Sequence, residues 1–421
     1  MQRLWALLAS LLTISCSGAQ VSTEKNPQKE HKRDQSQAQR LILVDENELL
    51  VTWKSNTHSP NPRPPSQEFP GLEQLCGEPD QRLDEAARWL LARGPLGRDE
   101  SDIDRLTFAL RAAGTPYVRP VAWSRGWPKA SPIPLDALEK EFRTWISSVE
   151  PSATRRCGMA MTGDGPLQGK AVRADRRLVV VAAQALAELV VALPTEARVG
   201  TWLSFEAELL ADADHGRVIL LAPDGEPQQV PTWQQGRRIR SRFAAGSPGK
   251  WLVQLLASTD TGPRPMLESV VYVDADPETY FTEQRIPGER AELLALTPEV
   301  ALDGLVTGAR AETGRATIHR DLSLDTVALE HAFAMRRASK VGHDVGNGNT
   351  PERLARAGIR ARLAGENVVH AADAIRAHRA LWASPSHRTN LLHRGFSRWG
   401  LGVTTDNDGS LWVCEVFASS D

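Results

Sequence analysis

Apolar residues recur with helical spacing in the first folded part of the chain, about residues 72–176. Residues 83–91 place apolar side chains at every third or fourth position, which predicts an amphipathic helix. The same spacing predicts helices over 103–113 and 135–146, and a short apolar segment at 157–161 predicts a strand. We therefore expect an α+β domain in this region.

Between about residues 177 and 276 the pattern changes to short apolar or alternating runs, which are typical of β-strands. The turn sequences Pro223-Asp224-Gly225 and Ser247-Pro248-Gly249 separate some of these runs. The predicted strands are 178–182, 188–193, 202–210, 217–221, 238–243, 251–256 and 267–273. Strands of this length and spacing predict an antiparallel β-sandwich.

The last part of the chain, about residues 295–421, mixes helical and strand patterns. Asp325, Thr350 and Ser384 are predicted helix-start signals, the last two followed by proline. The predicted helices are 325–341, 350–357, 371–383 and 384–394, and the predicted strands are 400–404 and 411–417, joined by a hairpin turn at 406–409. We expect helices interleaved with a small sheet.

The chain begins with the layout of an export signal. Arg3 precedes the short apolar stretch 4–12, which predicts a signal peptide over 1–16. The sequence ending at Cys16 resembles the bacterial lipobox, in which that cysteine is acylated; plain cleavage and a chance cysteine are the alternatives. The polar composition that follows predicts a disordered tether over 17–71. We expect an exported protein of the cell envelope, periplasm or exterior, held at the membrane through a lipid anchor.

Charge and composition exclude several classes of protein. The 50 Lys and Arg residues balance 52 Asp and Glu residues, so no nucleic-acid partner is expected. No apolar run approaches the roughly 20 residues that span a bilayer.

The first folded part contains two cysteines, Cys76 and Cys157. In an oxidising compartment a bond between them closes a loop of about 80 residues and contributes roughly 4 kcal/mol. Two buried free thiols are the alternative.

Histidine is concentrated in the last part of the chain. Seven of the ten histidines lie there, at positions 319, 331, 343, 370, 378, 387 and 393. We expect His331 and His378 to pack in the core because each shares a helical seam with apolar residues.

Several short motifs around these histidines occur in a defined order. They are Arg310-Ala311, Asp321-Leu322-Ser323-Leu324, His343-Asp344, Gly365-Glu366-Asn367, Ser384-Pro385-Ser386-His387-Arg388-Thr389-Asn390, Gly400-Leu401-Gly402-Val403 and Trp412-Val413-Cys414-Glu415-Val416-Phe417. Together they resemble the signature of the CAP superfamily, which includes the cysteine-rich secretory proteins, antigen 5 and the plant pathogenesis-related proteins. The match is to the bacterial, disulfide-poor branch.

The resemblance implies an α-β-α sandwich over 295–421 and a cleft lined by two histidines and acidic residues. His343, Glu366 and His387 match three positions of that cleft. His319, His370 and His393 match no position of the family, and they are therefore expected at the surface or behind a site. Glu415 stands where Gln is more usual, and no residue matches the fourth, acidic position. The first domain shares a faint outline with this region and is interpreted as a possible degenerate CAP-like domain.

Two imidazoles and one carboxylate allow more than one chemistry. His343 and His387, with Glu366, can hold Zn²⁺ with a position left for water, or they can form an acid–base cluster without metal. A third reading is that all three brace loops through hydrogen bonds. His387 lies in the first turn of a predicted helix, so we expect it to be neutral near pH 7. No cofactor is certain, and zinc is the one candidate.

Two functions are compatible with these residues. The first is a non-enzymatic envelope protein whose cleft binds a lipid, a glycan or a partner protein. The alternative is a metal-dependent hydrolase that uses the same cleft, with Glu366 as base. The missing H-E-x-x-H and G-x-S-x-G motifs favour the first.

Overall fold

The computed structural model describes residues 51–54, 68–92, 103–128, 131–149, 154–162 and 175–420. Internal contacts divide the chain into two units, Met1–Glu46 and Asn47–Asp421, and every described residue lies in the second. The predicted signal peptide with Cys16, and most of the predicted tether, lie outside the described residues. No helix within the described ranges is long and apolar enough to cross a membrane.

The first domain is a four-stranded sheet covered by helices. Its helices are α1 (Pro70–Cys76), α2 (Gln81–Ala92), α3 (Ile103–Ala112) and α4 (Leu135–Ser148), and its strands are β1 (Glu78–Pro79), β2 (Val118–Pro128), β3 (Arg155–Met161) and β4 (Asp175–Gln184). The strand order is β1-β3-β4-β2. One core cluster lies under α2 and α3 and a second under α1 and α4, so both faces of the sheet are covered.

Strand β4 corrects the predicted boundary of the middle domain. The sequence pattern places 178–182 in a sandwich that begins at residue 177, but β4 pairs with β2 and β3 of the first domain. Leu178 to Ala182 are fully buried, because helices cover both faces of the strand. A continuous apolar run of this kind indicates a central strand, but it does not say which sheet contains it. Strand β2 has no counterpart among the predicted strands.

A disulfide joins Cys76 at the end of α1 to Cys157 in β3, across 81 positions of sequence. The predicted bond is therefore confirmed. Both cysteines are buried, in the core cluster between the sheet and helices α1 and α4. The link ties the start of the domain to its sheet.

The predicted tether over 17–71 is too long at its C-terminal end. The Val51 amide donates to the Thr279 carbonyl, and the Trp53 indole donates to the Glu278 carbonyl at 2.6 Å. Trp53 also makes an edge contact with Tyr272, with ring centroids 5.0 Å apart. An indole that packs against other rings gains enough contact to order its segment, although the surrounding composition is polar.

The middle domain consists of two antiparallel-rich sheets that share one core. Its strands are β5 (Ala187–Leu189), β6 (Glu196–Ala197), β7 (Trp202–Leu209), β8 (Asp214–Leu221), β9 (Pro227–Val230), β10 (Thr232–Gln235), β11 (Arg238–Ala244), β12 (Gly249–Thr259) and β13 (Gly262–Val273). The strand orders are β10-β11-β7-β5 and β6-β13-β12-β8-β9. Alternate side chains of both sheets enter one buried cluster.

The C-terminal domain is a four-stranded sheet with helices on both sides. After a 3-10 helix at Ala291–Ala295 come α5 (Pro298–Glu312), α6 (Leu322–Ala338), α7 (Thr350–Arg356), α8 (Ala374–Ala383) and α9 (Pro385–Leu392), with strands β14 (His319–Arg320), β15 (Ala364–Ala371), β16 (Arg398–Thr405) and β17 (Leu411–Ala418). The strand order is β14-β16-β17-β15. One core cluster lies against α5, α8 and α9, and another against α6 and α7.

Helix α6 begins at Leu322, three residues before the predicted range 325–341. The carboxylate of Asp321 accepts hydrogen bonds from the amides of Ser323 and Leu324, which makes Asp321 the N-cap. Asp325 instead accepts from the amide of Leu401 in β16, at 2.8 Å.

Candidate functional site

Strand β15 lies at one edge of the C-terminal sheet and carries the Gly-Glu-Asn motif. Because side chains alternate along a strand, Glu366 and Asn367 face opposite sides of the sheet. Val368 packs with the cluster under α6 and α7, whereas Val369 packs with the cluster under α5 and α8. Gly365 has no room for a side chain, since a Cβ there would lie 2.7 Å from Oδ1 of Asn390.

Glu366 is a buried carboxylate with two strong partners. Its Oε1 lies 2.8 Å from Nδ1 of His343, and its Oε2 accepts from the Arg353 guanidinium and from the Cys414 thiol. Burial alone would raise the pKa of Glu366, but the hydrogen bond from His343 and the nearby positive charges hold it at about 2. Glu366 is therefore ionised at every physiological pH. Cys414 is a free, buried cysteine.

Arg353 and His331 shape the loop that carries His343. Arg353, from α7, donates to the carbonyls of His343 and Gly348 as well as to Glu366. Nε2 of His331, from α6, lies 2.8 Å from the carbonyl of Gly342. His331 is fully buried, as its apolar helical seam predicts, and burial lowers its pKa.

On the other side of β15, Asn367 connects three groups. Its Nδ2 donates to the carbonyl of His387 at 3.2 Å and to Oε2 of Glu415 at 3.0 Å. Its Oδ1 accepts from Nδ2 of Asn390 at 2.9 Å. Asn367 is fully buried, so these bonds fix the strand against α9.

His387 lies in the first turn of α9, which begins at Pro385. Burial lowers the pKa of His387, and the nearby charges of His343 and Arg119 lower it further, to about 3. His387 is thus neutral near pH 7, in agreement with the expectation from its place in the helix. Its Nδ1 is buried and has no hydrogen-bond partner among the residues that the structure describes.

Two of the three predicted cleft residues are in direct contact, since Nδ1 of His343 lies 2.8 Å from Oε1 of Glu366. His387 lies on the other side of β15, where its carbonyl accepts from Asn367, and it is near enough for the charge of His343 to lower its pKa. Among the other histidines, Nε2 of His378 lies 2.9 Å from the carbonyl of Pro287, and His370 stacks on Trp412.

Sequence reasoning missed Arg353, the ion-pair partner of Glu366. A carboxylate that is buried by folding needs a partner of opposite charge, and that requirement was the available signal. The position of the cation in the sequence follows only from the packing of α7 against β15.

The donor atoms of the cleft do not fit a zinc site. A catalytic zinc takes three protein ligands and a water. Both oxygens of Glu366 are engaged, and Nδ1 of His343 is used for the same carboxylate, which leaves one nitrogen of His343 and the imidazole of His387. Within the described ranges, no three His, Cys, Asp or Glu side chains are grouped so as to hold a metal ion.

The family match agrees with this geometry. Residues 304–416 match the model of the cysteine-rich secretory protein family, CAP, which covers less than half of the chain. The C-terminal part of the chain is therefore a CAP domain, as the motifs indicated. No protein with a curated description matches the chain.

Three bacterial proteins of known structure are similar to the chain. An outer surface protein from Borrelia burgdorferi shares 17% identity over 31% of this chain and 95% of its own, with a TM-score of 0.28. An extracellular protein with an SCP domain from Bacillus anthracis shares 18% identity, over 54% and 89%, with a TM-score of 0.26. A cysteine-rich secretory protein from Staphylococcus aureus shares 11%, over 56% and 81%, with a TM-score of 0.25.

Proposed function

We propose that this protein is exported, anchored by a lipid on Cys16, and binds a ligand in the cleft between His343 and His387. The ligand is a lipid, a glycan or a partner protein. The observation that carries the proposal is His387, whose neutral imidazole has a buried Nδ1 without a partner in the described part of the chain. A buried polar atom of this kind gains a hydrogen bond when a ligand reaches it.

The state of Glu366 favours binding over hydrolysis. A general base near neutral pH needs a pKa close to the working pH and a free oxygen. The carboxylate of Glu366 has a pKa of about 2 and is bonded to His343 and Arg353. It is therefore suited to holding the His343 loop in place and poorly suited to activating water.

We further propose that the first domain is a second copy of the CAP fold. When the four strands of each domain are numbered along the chain, both sheets have the order first, third, fourth, second. In both sheets the first and third strands are parallel. In each, an aspartate in the helix after the first strand accepts from the third strand: Asp84 from the Met159 amide, and Asp325 from the Leu401 amide. The residue before each of these amides is a glycine packed against the helix backbone, Gly158 or Gly400.

The first copy lacks the cleft chemistry. By strand register Ala122 occupies the position of Glu366, and Trp123 occupies that of Asn367. No charged or amide side chain is therefore available there to hold a histidine loop. The duplication leaves one cleft, in the C-terminal domain. The helix clusters on both sides of its sheet support the α-β-α layout that the family resemblance implies.

Binding by the full-length protein tests the proposal. Purified protein is screened against vesicles of bacterial phospholipids and an array of envelope glycans, and any captured probe is titrated. We expect His343→Gln and His387→Gln to weaken binding at least about tenfold, because one hydrogen bond to a buried group is worth roughly that factor. His319→Gln, at an exposed position, is the matched control. Equal affinity of all variants would contradict the proposal.

Lipid anchoring has its own test. Mass spectrometry of the mature N-terminal peptide is expected to show an acylated Cys16, and Cys16→Ser is expected to move the protein from the membrane to the soluble fraction. An unmodified cysteine in membrane-associated protein would refute this part alone.

A further inference from the structure

Each segment that carries a cleft histidine is held by the same hairpin of the middle domain, β12–β13. The carbonyl of Thr261, in its turn, accepts hydrogen bonds from the amides of His343 at 2.8 Å and Asp344 at 3.1 Å. Six residues before that turn, Gln254 reaches the start of α9. Its Oε1 accepts from the Ser386 amide at 3.1 Å, next to His387.

The turn fits closely against the His343 loop. Thr261 is only 6% exposed. Gly262 has a φ of +99°, and a Cβ there would lie 2.8 Å from Cβ of His343. Glycine is thus required both by the backbone conformation and by the approach of the loop.

The side chain of Gln254 is held by a network of polar side chains. Its side chain is fully buried, and its Nε2 donates to Ser384 Oγ at 3.2 Å and to Oε1 of Glu268 at 2.8 Å. Oε2 of Glu268 lies 2.7 Å from the guanidinium of Arg111, in the first domain. A buried amide side chain whose polar atoms are all hydrogen-bonded has little freedom to move, so this network of hydrogen bonds fixes the rotamer of Gln254.

We propose that the β12–β13 hairpin is a brace that sets the separation and orientation of the two cleft histidines. Gln254 and Thr261 are positioning residues. The functional cleft is then a three-domain structure, and the CAP domain without the hairpin does not hold it in shape. The inference rests on the proposed function only in naming this cleft as the binding site.

Hydrogen exchange and histidine modification in the full-length protein test the brace. In Gln254→Leu the Ser386 amide loses its acceptor, so exchange of peptides from 384–392 should rise about fivefold. Modification of His387 by diethyl pyrocarbonate should rise with it. Peptides from 398–418, in the CAP sheet, report global stability and should not change.

Gln234→Leu is the matched control. Gln234 also accepts from a backbone amide, that of Gly216 at 2.8 Å, but this bond lies within the middle domain. We expect Gln234→Leu to leave exchange at 384–392 and the reactivity of His387 at wild-type values. Wild-type values in folded Gln254→Leu would overturn the proposal.

A second pair of variants perturbs the turn and protects the test against misfolding of the first. Gly262→Ala pushes the turn away from His343, so exchange over 340–346 should rise about fivefold. Gly200→Ala imposes a similar backbone strain at a φ of +78° with nothing within 4 Å, and it should leave 340–346 unchanged. Equal exchange over 340–346 in the two variants would overturn the proposal.

The exchange experiment uses no ligand, so its outcome is independent of binding. Wild-type exchange in the hairpin variants of a protein that binds a probe would refute the inference and leave the proposed function standing. Raised exchange in these variants of a protein that binds none of the probes would do the reverse.

Discussion

Glu415 is a buried acid whose ionisation should destabilise the folded protein. Its side chain is 0% exposed, Oε2 accepts one hydrogen bond from Asn367, and Oε1 has no partner in the described part of the chain. Burial raises the pKa of Glu415 from 4.5 to about 7, and the single bond from Asn367 offsets this only in part. The folded protein therefore binds this proton more tightly than the unfolded chain does.

The sign and size of the effect follow from that difference. The protonated form is favoured by folding, so the stabilisation is fully present below pH 4.5 and is lost as the pH rises to about 7. Between pH 5 and pH 8 the contribution of Glu415 should fall by about 2.5 kcal/mol, at 1.36 kcal/mol for each pKa unit.

Urea unfolding of the wild type and of Glu415→Gln at pH 5, 6, 7 and 8 measures this contribution. Gln has the same shape, keeps the acceptor for Asn367 and does not titrate. The difference between the two proteins removes the other ionisable groups, and we expect Glu415→Gln to gain about 2.5 kcal/mol relative to the wild type from pH 5 to pH 8. A difference that does not change with pH would refute the reasoning.

Three further predictions concern stability. Arg353→Met should cost about 3–5 kcal/mol in urea unfolding because it leaves the Glu366 carboxylate buried without its cation, and the double variant with Glu366→Gln should recover part of that loss. Gly400→Ala and Gly158→Ala should each lower the free energy of unfolding by about 1–3 kcal/mol or more, because a Cβ would overlap the helix backbone. Gly246→Ala, with open space around it, should leave the free energy of unfolding nearly unchanged, and equal effects of the three substitutions would contradict the packing. Reduction of the disulfide in the first domain should lower its stability by about 2–5 kcal/mol, and an unchanged melting temperature would contradict this.

Much of the fold could be predicted because its signals are local. The spacing over 83–91 predicted α2, and the Pro351 and Pro385 starts predicted α7 and α9, since helix periodicity and capping depend on neighbours within a few residues. The order of motifs identified the CAP domain and its candidate residues His343, Glu366 and His387. None of these steps needed a distant contact.

Tertiary structure decided which distant segments meet. The sequence 178–182 predicts a buried strand, but its pairing with β2 and β3 depends on which sheet offers neighbouring strands on both of its sides. Likewise, Glu366 requires a cation, but only the packing of α7 selects Arg353. The contacts of Gln254 and Thr261 with the histidine segments join residues about 80 to 130 positions apart. Periodicity and capping are short-range effects, so the sequence alone predicted most of the described helices and the family, although it missed β2, β15 and α5. Strand pairing and the burial of charge depend on the complete fold, so only the tertiary structure determined which segments meet at the candidate site.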